Sequence, residues 1–164
     1  ILDDIWAWRA DHGVAGSVGW TVNTGQNGVI VNGNNVTATG LFVEHYQQYN
    51  VIWNGEDGRT VFFQNELPYD APNQAAWQHG GVLGWAAYKV DDHVKTNQLW
   101  GGGSYIFTNV DPTIHAAHGF EVPVTPGVTG EPPASTERRS SDEQRRWGGS
   151  TRPRVQTATR GGAA

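Results

Sequence analysis

Two glutamates, Glu44 and Glu66, are the residues of this 164-residue chain whose type and spacing most directly suggest chemistry. They end two segments that match each other at a spacing of 22 residues: residues 30–44 superpose on residues 52–66, with Gly33 on Gly55. A repeat of this length, with a strand and a turn residue at fixed places, predicts the stacked coils of a solenoid. Strands of successive coils lie about 4.8 Å apart, so the two carboxylates are expected to be neighbours in a stack.

The chemistry expected of two stacked carboxylates is acid catalysis. Their mutual repulsion favours one of them keeping its proton. Glycoside hydrolysis needs such an acid to protonate the departing oxygen, together with a group that activates water on the opposite face of the sugar. Glu66 and Glu44 are therefore candidates for these catalytic roles. The competing interpretation is that both are solvated residues on an exposed sheet face.

The alternation of residue types indicates which way these carboxylates point. Alternate positions form a mostly apolar face that we assign to the coil interior: Thr39, Leu41, Val43, Val61, Phe63 and Asn65. The outward face carries both glutamates beside Phe42 and Gln64, so Gln64 is a candidate for binding substrate. A weaker third match, 22 residues before Phe42 and Glu44, places Trp20 and Val22 in the same outward columns.

The segment before the repeat supplies further candidates for contacting a sugar. Residues 1–12 have the alternation of a strand that ends at Gly13. Trp8, Asp11 and His12 would then line the same cleft as the glutamates. The alternative for Asp11 and His12 is a purely structural role, because Asp and His at the end of a strand are often turn and capping partners.

The segment after Glu66 contains two prolines within residues 67–74, which interrupt a strand ladder and predict a surface loop. Functional groups are frequent on such loops. Tyr69 lies three residues after Glu66, where it could either contact the substrate or support the acid. Further strands are predicted at residues 82–90 and 103–110.

Composition limits the class of protein. The 22 glycines and a charged fraction of only 16% favour an all-β, turn-rich architecture. No apolar run approaches the roughly 20 residues of a membrane span, and no signal peptide is recognisable. The chain contains no cysteine, which leaves the redox compartment open. It also contains no methionine, and we expect it to be cut from a longer solenoid.

Charge divides the chain near residue 126. Residues 1–126 hold 12 acidic and four basic residues, whereas residues 127–164 hold seven arginines and four acids. We predict that residues 1–126 form a β-helix portion and that residues 127–164 are a disordered or aberrant, out-of-frame tail. The arginine pairs of the tail have no aromatic residues interleaved with them, so a nucleic-acid partner is not expected.

Five segments together resemble a known family: GLFVEHY at 40–46, WNG at 53–55, FFQNELPYD at 62–70, NQAAW at 73–77 and GWAAYKV at 84–90. They are similar to the C-terminal β-helix half of glycoside hydrolase family 55, over about residues 1–127. The resemblance implies a right-handed parallel β-helix of the pectin-lyase type. It also implies an extracellular exo-β-1,3-glucanase that cleaves laminarin-type glucan with inversion and without a cofactor.

In terms of residues, the resemblance implies that Glu66 is the general acid and that Glu44 helps to position the attacking water. Stacking alone would give the short carboxyl separation of retaining enzymes, so the inverting assignment depends on the resemblance. The family has two tandem β-helices with the cleft between them. We therefore expect the missing N-terminal β-helix and a β-1,3-glucan to be the partners, and this segment alone to be inactive.

Three alternatives remain open or are disfavoured by the sequence. One is a non-catalytic β-helix that binds polysaccharide or mediates adhesion. Another is β-elimination as in pectate lyases, but residues 1–126 offer only Arg9 and Arg59 as an arginine base, without the aspartate cluster of a calcium site. A metal site at His115 and His118 lacks a third ligand and is not predicted.

Overall fold

The computed structural model describes residues 1–123, 128–130 and 134–138. Within these ranges the regular structure is strands and one 3₁₀ turn, Gln74–Ala76. The strands are β1 (Leu2–Trp8), β2 (Val29–Val31), β3 (Thr37–Glu44), β4 (Val51–Trp53), β5 (Gly58–Glu66), β6 (Gln78–His79), β7 (Val82–Leu83), β8 (Tyr88–Val90), β9 (Asn97–Ile106), β10 (Phe120–Glu121), β11 (Val128–Gly130) and β12 (Ala134–Arg138).

The strands form two parallel sheets that run along the stack. One sheet has the order β1-β3-β5-β9-β11, with β12 also paired to β9, and the other has the order β10-β8-β4-β2. Strands β6 and β7 form a separate antiparallel hairpin. Successive coils thus add one strand to each sheet, and the all-β, parallel β-helix predicted from the sequence is confirmed as a partial solenoid.

The 22-residue repeat sets the register of two coils. Strand β3 pairs with β5 so that Phe42 lies beside Gln64, and β2 pairs with β4 so that Ile30 lies beside Ile52. The prediction that the Glu44 and Glu66 strands are adjacent and in register is therefore confirmed.

The predicted third rung was wrong. Strand β1 stacks on β3 at a spacing of 36 residues and places Trp6 beside Phe42 and Trp8 beside Glu44. Trp20 and Val22 instead lie outside any strand, in the connection between β1 and β2. The reason is that a parallel ladder fixes the strands but leaves the length of the connecting loop free, because loop closure becomes costlier only slowly with length.

A column of left-handed backbone conformations bends the long strands of the larger sheet. Asp4, Gly40, Phe62 and Gly101 have φ angles of 49°, 59°, 64° and 65° and occupy equivalent places in β1, β3, β5 and β9. This region favours glycine. Two of the four positions are nevertheless held by residues with a side chain.

The bend shifts the alternation of buried and exposed side chains by one residue. As a result, only part of the predicted interior face is buried. Leu41, Val43, Phe63 and Asn65 follow the bend and are buried as predicted. Before the bend the buried positions are Ala38 and Thr60, so the assignment of Thr39 and Val61 to the interior was wrong. Val61 is 45% exposed.

Aromatic side chains fill much of the core. Trp53 is fully buried and stacks on Tyr88, whose ring also meets Phe63 edge-on. The connection after Glu66 is a loop, but it does not lie wholly on the surface as predicted. Its apolar side chains Leu67 and Ala71 are buried because they close over the coil interior.

The repeated glycine has a steric reason. A Cβ atom at Gly55 would lie 1.9 Å from the backbone oxygen of Gly33 in the coil below, whereas a Cβ at Gly33 would meet only the end of the Val36 side chain at 3.2 Å. The backbone of the neighbouring coil cannot move aside to make room for a Cβ atom at Gly55, whereas the end of the Val36 side chain can move aside for one at Gly33.

We therefore predict that Gly55→Ala lowers the free energy of unfolding by about 1–3 kcal/mol or more, the usual cost of overpacking. Gly33→Ala is the matched control and should cost less than half as much. Urea unfolding of both variants tests this, and equal losses would contradict the steric explanation.

Part of the predicted tail lies in the described ranges. Strands β11 and β12 pair in parallel with β9. Residues 124–127, 131–133 and 139–164 lie outside the described residues, and with them most of the segment for which disorder or aberrant translation is predicted. That boundary stays a prediction. Among the described residues, no helix has the length and apolar character needed to cross a membrane.

Candidate active site

The two glutamates end adjacent strands on the outward face of the larger sheet. Glu44 accepts a hydrogen bond of 2.8 Å from the indole nitrogen of Trp6, whose side chain is 68% exposed and stacks on Trp8 at 6.1 Å between ring centroids. Trp6 and Glu44 also line an open depression of about 380 Å³ together with Asp4 and Phe42. An exposed indole beside a carboxylate offers a flat surface for a sugar ring next to a polar group.

Glu66 is held through one of its two oxygens. The hydroxyl of Tyr69 donates to Oε2, and Nε2 of His45 lies 3.7 Å from the same atom. The Glu66 side chain remains 33% exposed. Burial, followed by the hydrogen bond and charge of Glu66, raises the pKa of Tyr69 well above its ordinary value, so the phenol keeps its proton and stays a donor.

Asp11 is a buried anchor beneath this carboxyl group. Its Oδ2 accepts the backbone N–H of Tyr69 at 2.8 Å, and its Oδ1 lies 2.6 Å from Nδ1 of His12. Nδ1 of His45 is 3.1 Å from Oδ2 but is not aligned for a hydrogen bond. Burial works to raise the pKa of Asp11, but the contacts with His45, with the Tyr69 amide and with His12 outweigh it and hold the pKa below its ordinary value.

Arg9 fixes the loop that carries Tyr69 from the other side. Its guanidinium forms two hydrogen bonds to Asp70, at 3.1 and 2.5 Å, and donates to the backbone oxygens of His45 and Asn23. The arginine is only 4% exposed and also lies over the ring of Trp20 at 5.7 Å. One side chain thus ties together the end of β1, the turn after β3 and the loop after β5.

The lowered pKa of Asp11 leads to a prediction for acid stability. A carboxyl group whose pKa is lower in the folded state stabilises the protein above its ordinary pKa of about 3.9, and this contribution is lost as the pH falls through the folded value. We expect Asp11→Asn to lower the free energy of unfolding at pH 7 and to flatten its decline below about pH 4.

Urea unfolding of the two proteins between pH 2 and pH 7 measures this difference. Asp92→Asn, at an exposed position, is the control and should follow the unsubstituted protein. Parallel curves for Asp11→Asn and the unsubstituted protein would contradict the assignment.

The structure brings most of the predicted site residues together. His12 stacks on Tyr69 at 5.4 Å and meets Trp8 edge-on at 5.5 Å. Gln64 is half-buried beside Phe42 on the outward face. Asp11 lies beneath the others: its side chain has no exposed surface, which favours the structural role that the sequence left open over direct contact with a sugar.

Arg9, His45 and Asp70 are site residues that the sequence reasoning did not assign. Arg9 carried a weak signal, because it is one of only four basic residues in the first 126. His45 directly follows Glu44 but has no histidine 22 residues before or after it, and Asp70 lies in the loop after the matched segment 52–66. Pattern alone therefore gave no reason to select them.

One group of side chains has the composition of a metal site. Among the described residues, Asp11, His12 and His45 present ligand atoms within 4.8 Å of one another. A cation fits poorly there, because Oδ2 of Asp11 already accepts the Tyr69 amide and lies 3.9 Å from the Arg9 guanidinium. The same contacts suit an anchor that orients neighbouring groups.

Comparison with known proteins gives consistent matches. Residues 1–66 match the model of the LAM55 pectate lyase-like domain. Over 128 residues, the chain is 58% identical to an exo-beta-1,3-glucanase of Streptomyces sp. (strain SirexAA-E / ActE), a match that covers 78% of this chain and 21% of the relative. The chain thus spans about a fifth of that relative's length.

Two solved structures of sacteLam55A from Streptomyces sp. SirexAA-E match as well, one of them a variant in complex with glucose. Each has a TM-score of 0.76 and 56% sequence identity over 79% of this chain and 23% of the solved chain.

Proposed function

We propose that this chain carries the acid-bearing part of a site that hydrolyses β-1,3-glucan, as its matches to the LAM55 pectate lyase-like domain and to an exo-beta-1,3-glucanase suggest for a member of glycoside hydrolase family 55. The observation that carries the proposal is the pair of stacked glutamates on the outward face, of which Glu66 is held by Tyr69. An exo mode of cleavage is inferred from the relative that shares 58% of the aligned residues.

In the proposed mechanism Glu66 is the general acid. The bond between C1 of the sugar and the glycosidic oxygen breaks while that oxygen takes the proton of Glu66. Water forms the new bond to C1 from the opposite face, which inverts the anomeric centre. Glu44, fixed by Trp6, helps to position this water. The proton of the water passes to a base from the rest of the enzyme, of which this chain spans only a part.

Support for substrate binding comes from the exposed groups around the acid. Trp8 is 41% exposed, and His12 and Gln64 present polar atoms on the same side of the sheet. We propose these three as sugar contacts, whereas Tyr69 and Asp11 fix the acid and its loop. The substrate is an external polysaccharide, so an extracellular location goes with this proposal.

A chimaeric enzyme tests the function directly. In it, the 128 matched residues of the Streptomyces exo-beta-1,3-glucanase are replaced by those of this chain. We expect the chimaera to release sugar from laminarin, and proton NMR of the first product should show inverted anomeric configuration. The unmodified relative is the positive control.

The alternative is a β-helix that binds polysaccharide without cleaving it. A folded chimaera that binds laminarin and releases no product would contradict the proposal and favour this alternative. Circular dichroism establishes that the chimaera is folded before either conclusion is drawn.

A further inference from the structure

His45 occupies a backbone conformation that few residues with a side chain adopt. Its φ angle is +65°, in the left-handed region, which histidine, asparagine and aspartate enter more often than other residues with a side chain. The residue is nevertheless buried, with 2% of its surface exposed. Strained residues that persist in a fold concentrate at functional sites, so the conformation prompts the question of what the ring does.

The backbone of His45 is tied to Glu66 itself. Its N–H donates to the backbone oxygen of Glu66 at 2.8 Å, and its own backbone oxygen accepts the Nε–H of Arg9 at 2.5 Å. The peptide groups on both sides of His45 are therefore fixed.

The ring of His45 lies between Asp11 and Glu66. Nδ1 is 3.1 Å from Oδ2 of Asp11, and Nε2 is 3.7 Å from Oε2 of Glu66. The ring also meets that of Tyr69 edge-on, with centroids 4.4 Å apart. Tyr69 holds the same Oε2 atom, so His45 supports both the carboxyl group and its hydrogen-bond donor.

We infer that His45 is a positioning residue for the acid: wedged against Asp11, it holds Oε2 of Glu66 against Tyr69 and leaves the other carboxyl oxygen to meet the glycosidic oxygen. This inference rests on the proposed function of Glu66. A residue that only filled space would need neither the polar edge at Glu66 nor the left-handed backbone conformation.

The variant His45→Asn separates positioning from folding. Asparagine tolerates the left-handed region, so the backbone is not penalised. Its side chain is too short to reach from Asp11 to Glu66. His79→Asn is the matched control, because His79 is a partly buried histidine that stacks on Trp85 at 3.8 Å outside the site.

In the chimaera, we expect His45→Asn to reduce kcat on laminarin by on the order of 10²-fold, the cost of a misplacement near 1 Å. KM should change by less than about threefold, because sugar contacts are unchanged. On a β-glucoside with a dinitrophenolate leaving group, which departs without protonation, the loss should shrink to less than about threefold. His79→Asn should behave as the unsubstituted chimaera on both substrates.

Equal losses on both substrates would indicate a structural role and overturn the inference, as would an unchanged kcat on laminarin. A crystal structure of the 164-residue chain with His45→Asn provides a test that does not depend on turnover. The inference requires the Glu66 carboxyl to leave Tyr69 in this structure, and an unmoved carboxyl overturns it. An inactive unsubstituted chimaera would count against the proposed function, while the crystal structure still decides the role of His45.

Discussion

Glu66→Gln is expected to reduce kcat of the chimaera on laminarin by about 10²- to 10⁴-fold, the usual contribution of general acid catalysis. Glutamine keeps the shape of the side chain and can still accept the hydrogen bond from Tyr69. It cannot deliver a proton to the departing oxygen. Steady-state kinetics should therefore show a lower kcat with a KM within a few-fold of the original, because binding is retained.

The leaving group provides the decisive control for this variant. A β-glucoside whose leaving group needs no protonation should recover most of the lost rate in Glu66→Gln. Asp92→Asn, at an exposed acid in a distant turn, controls for the loss of a negative charge and should be fully active. Undiminished cleavage of laminarin by Glu66→Gln would rule out Glu66 as the acid.

Arg9→Met is expected to lower the free energy of unfolding of the chain by about 3–5 kcal/mol, the cost of removing one partner of a buried ion pair. Methionine fills much of the same volume but leaves Asp70 and two backbone oxygens without their donor. The loop that carries Tyr69 should loosen with it. Urea unfolding measures the change.

Arg59→Met is the matched control, because this arginine lies on the exposed side of β5 and its loss should change stability by no more than about 0.5 kcal/mol. The double variant Arg9→Met, Asp70→Asn should be less destabilised than the sum of its single changes, since the unpaired charge is also removed. Equal effects of the two arginine variants would contradict the anchoring role of Arg9.

The sequence was sufficient for those features that repeat along the solenoid. Equivalent residues of neighbouring coils touch one another, so a match at 22 residues already implies that β3 lies beside β5 and that Glu44 neighbours Glu66. The register is reliable here because each prediction concerns one strand and the strand next to it.

Alternation failed where the backbone departs from a regular strand. The left-handed residues Gly40 and Phe62 bend β3 and β5, and the face that points inward changes by one position on either side of the bend. A phenylalanine at such a place gives no sequence signal, because a positive φ angle is common for glycine and, among residues with a side chain, is enriched only at asparagine, aspartate and histidine. Thr39 and Val61 were misassigned for this reason.

The surroundings of the acid were decided by the tertiary structure alone. Arg9 and Asp11 come from the end of β1, which stacks on β3 across a 36-residue spacing that no repeat predicts. They reach Asp70 and Tyr69 in a loop about 60 residues later, where the chain leaves the regular coil. The sequence determined the two carboxylates because strand stacking is periodic, whereas their support depends on irregular loops whose path only the folded chain defines.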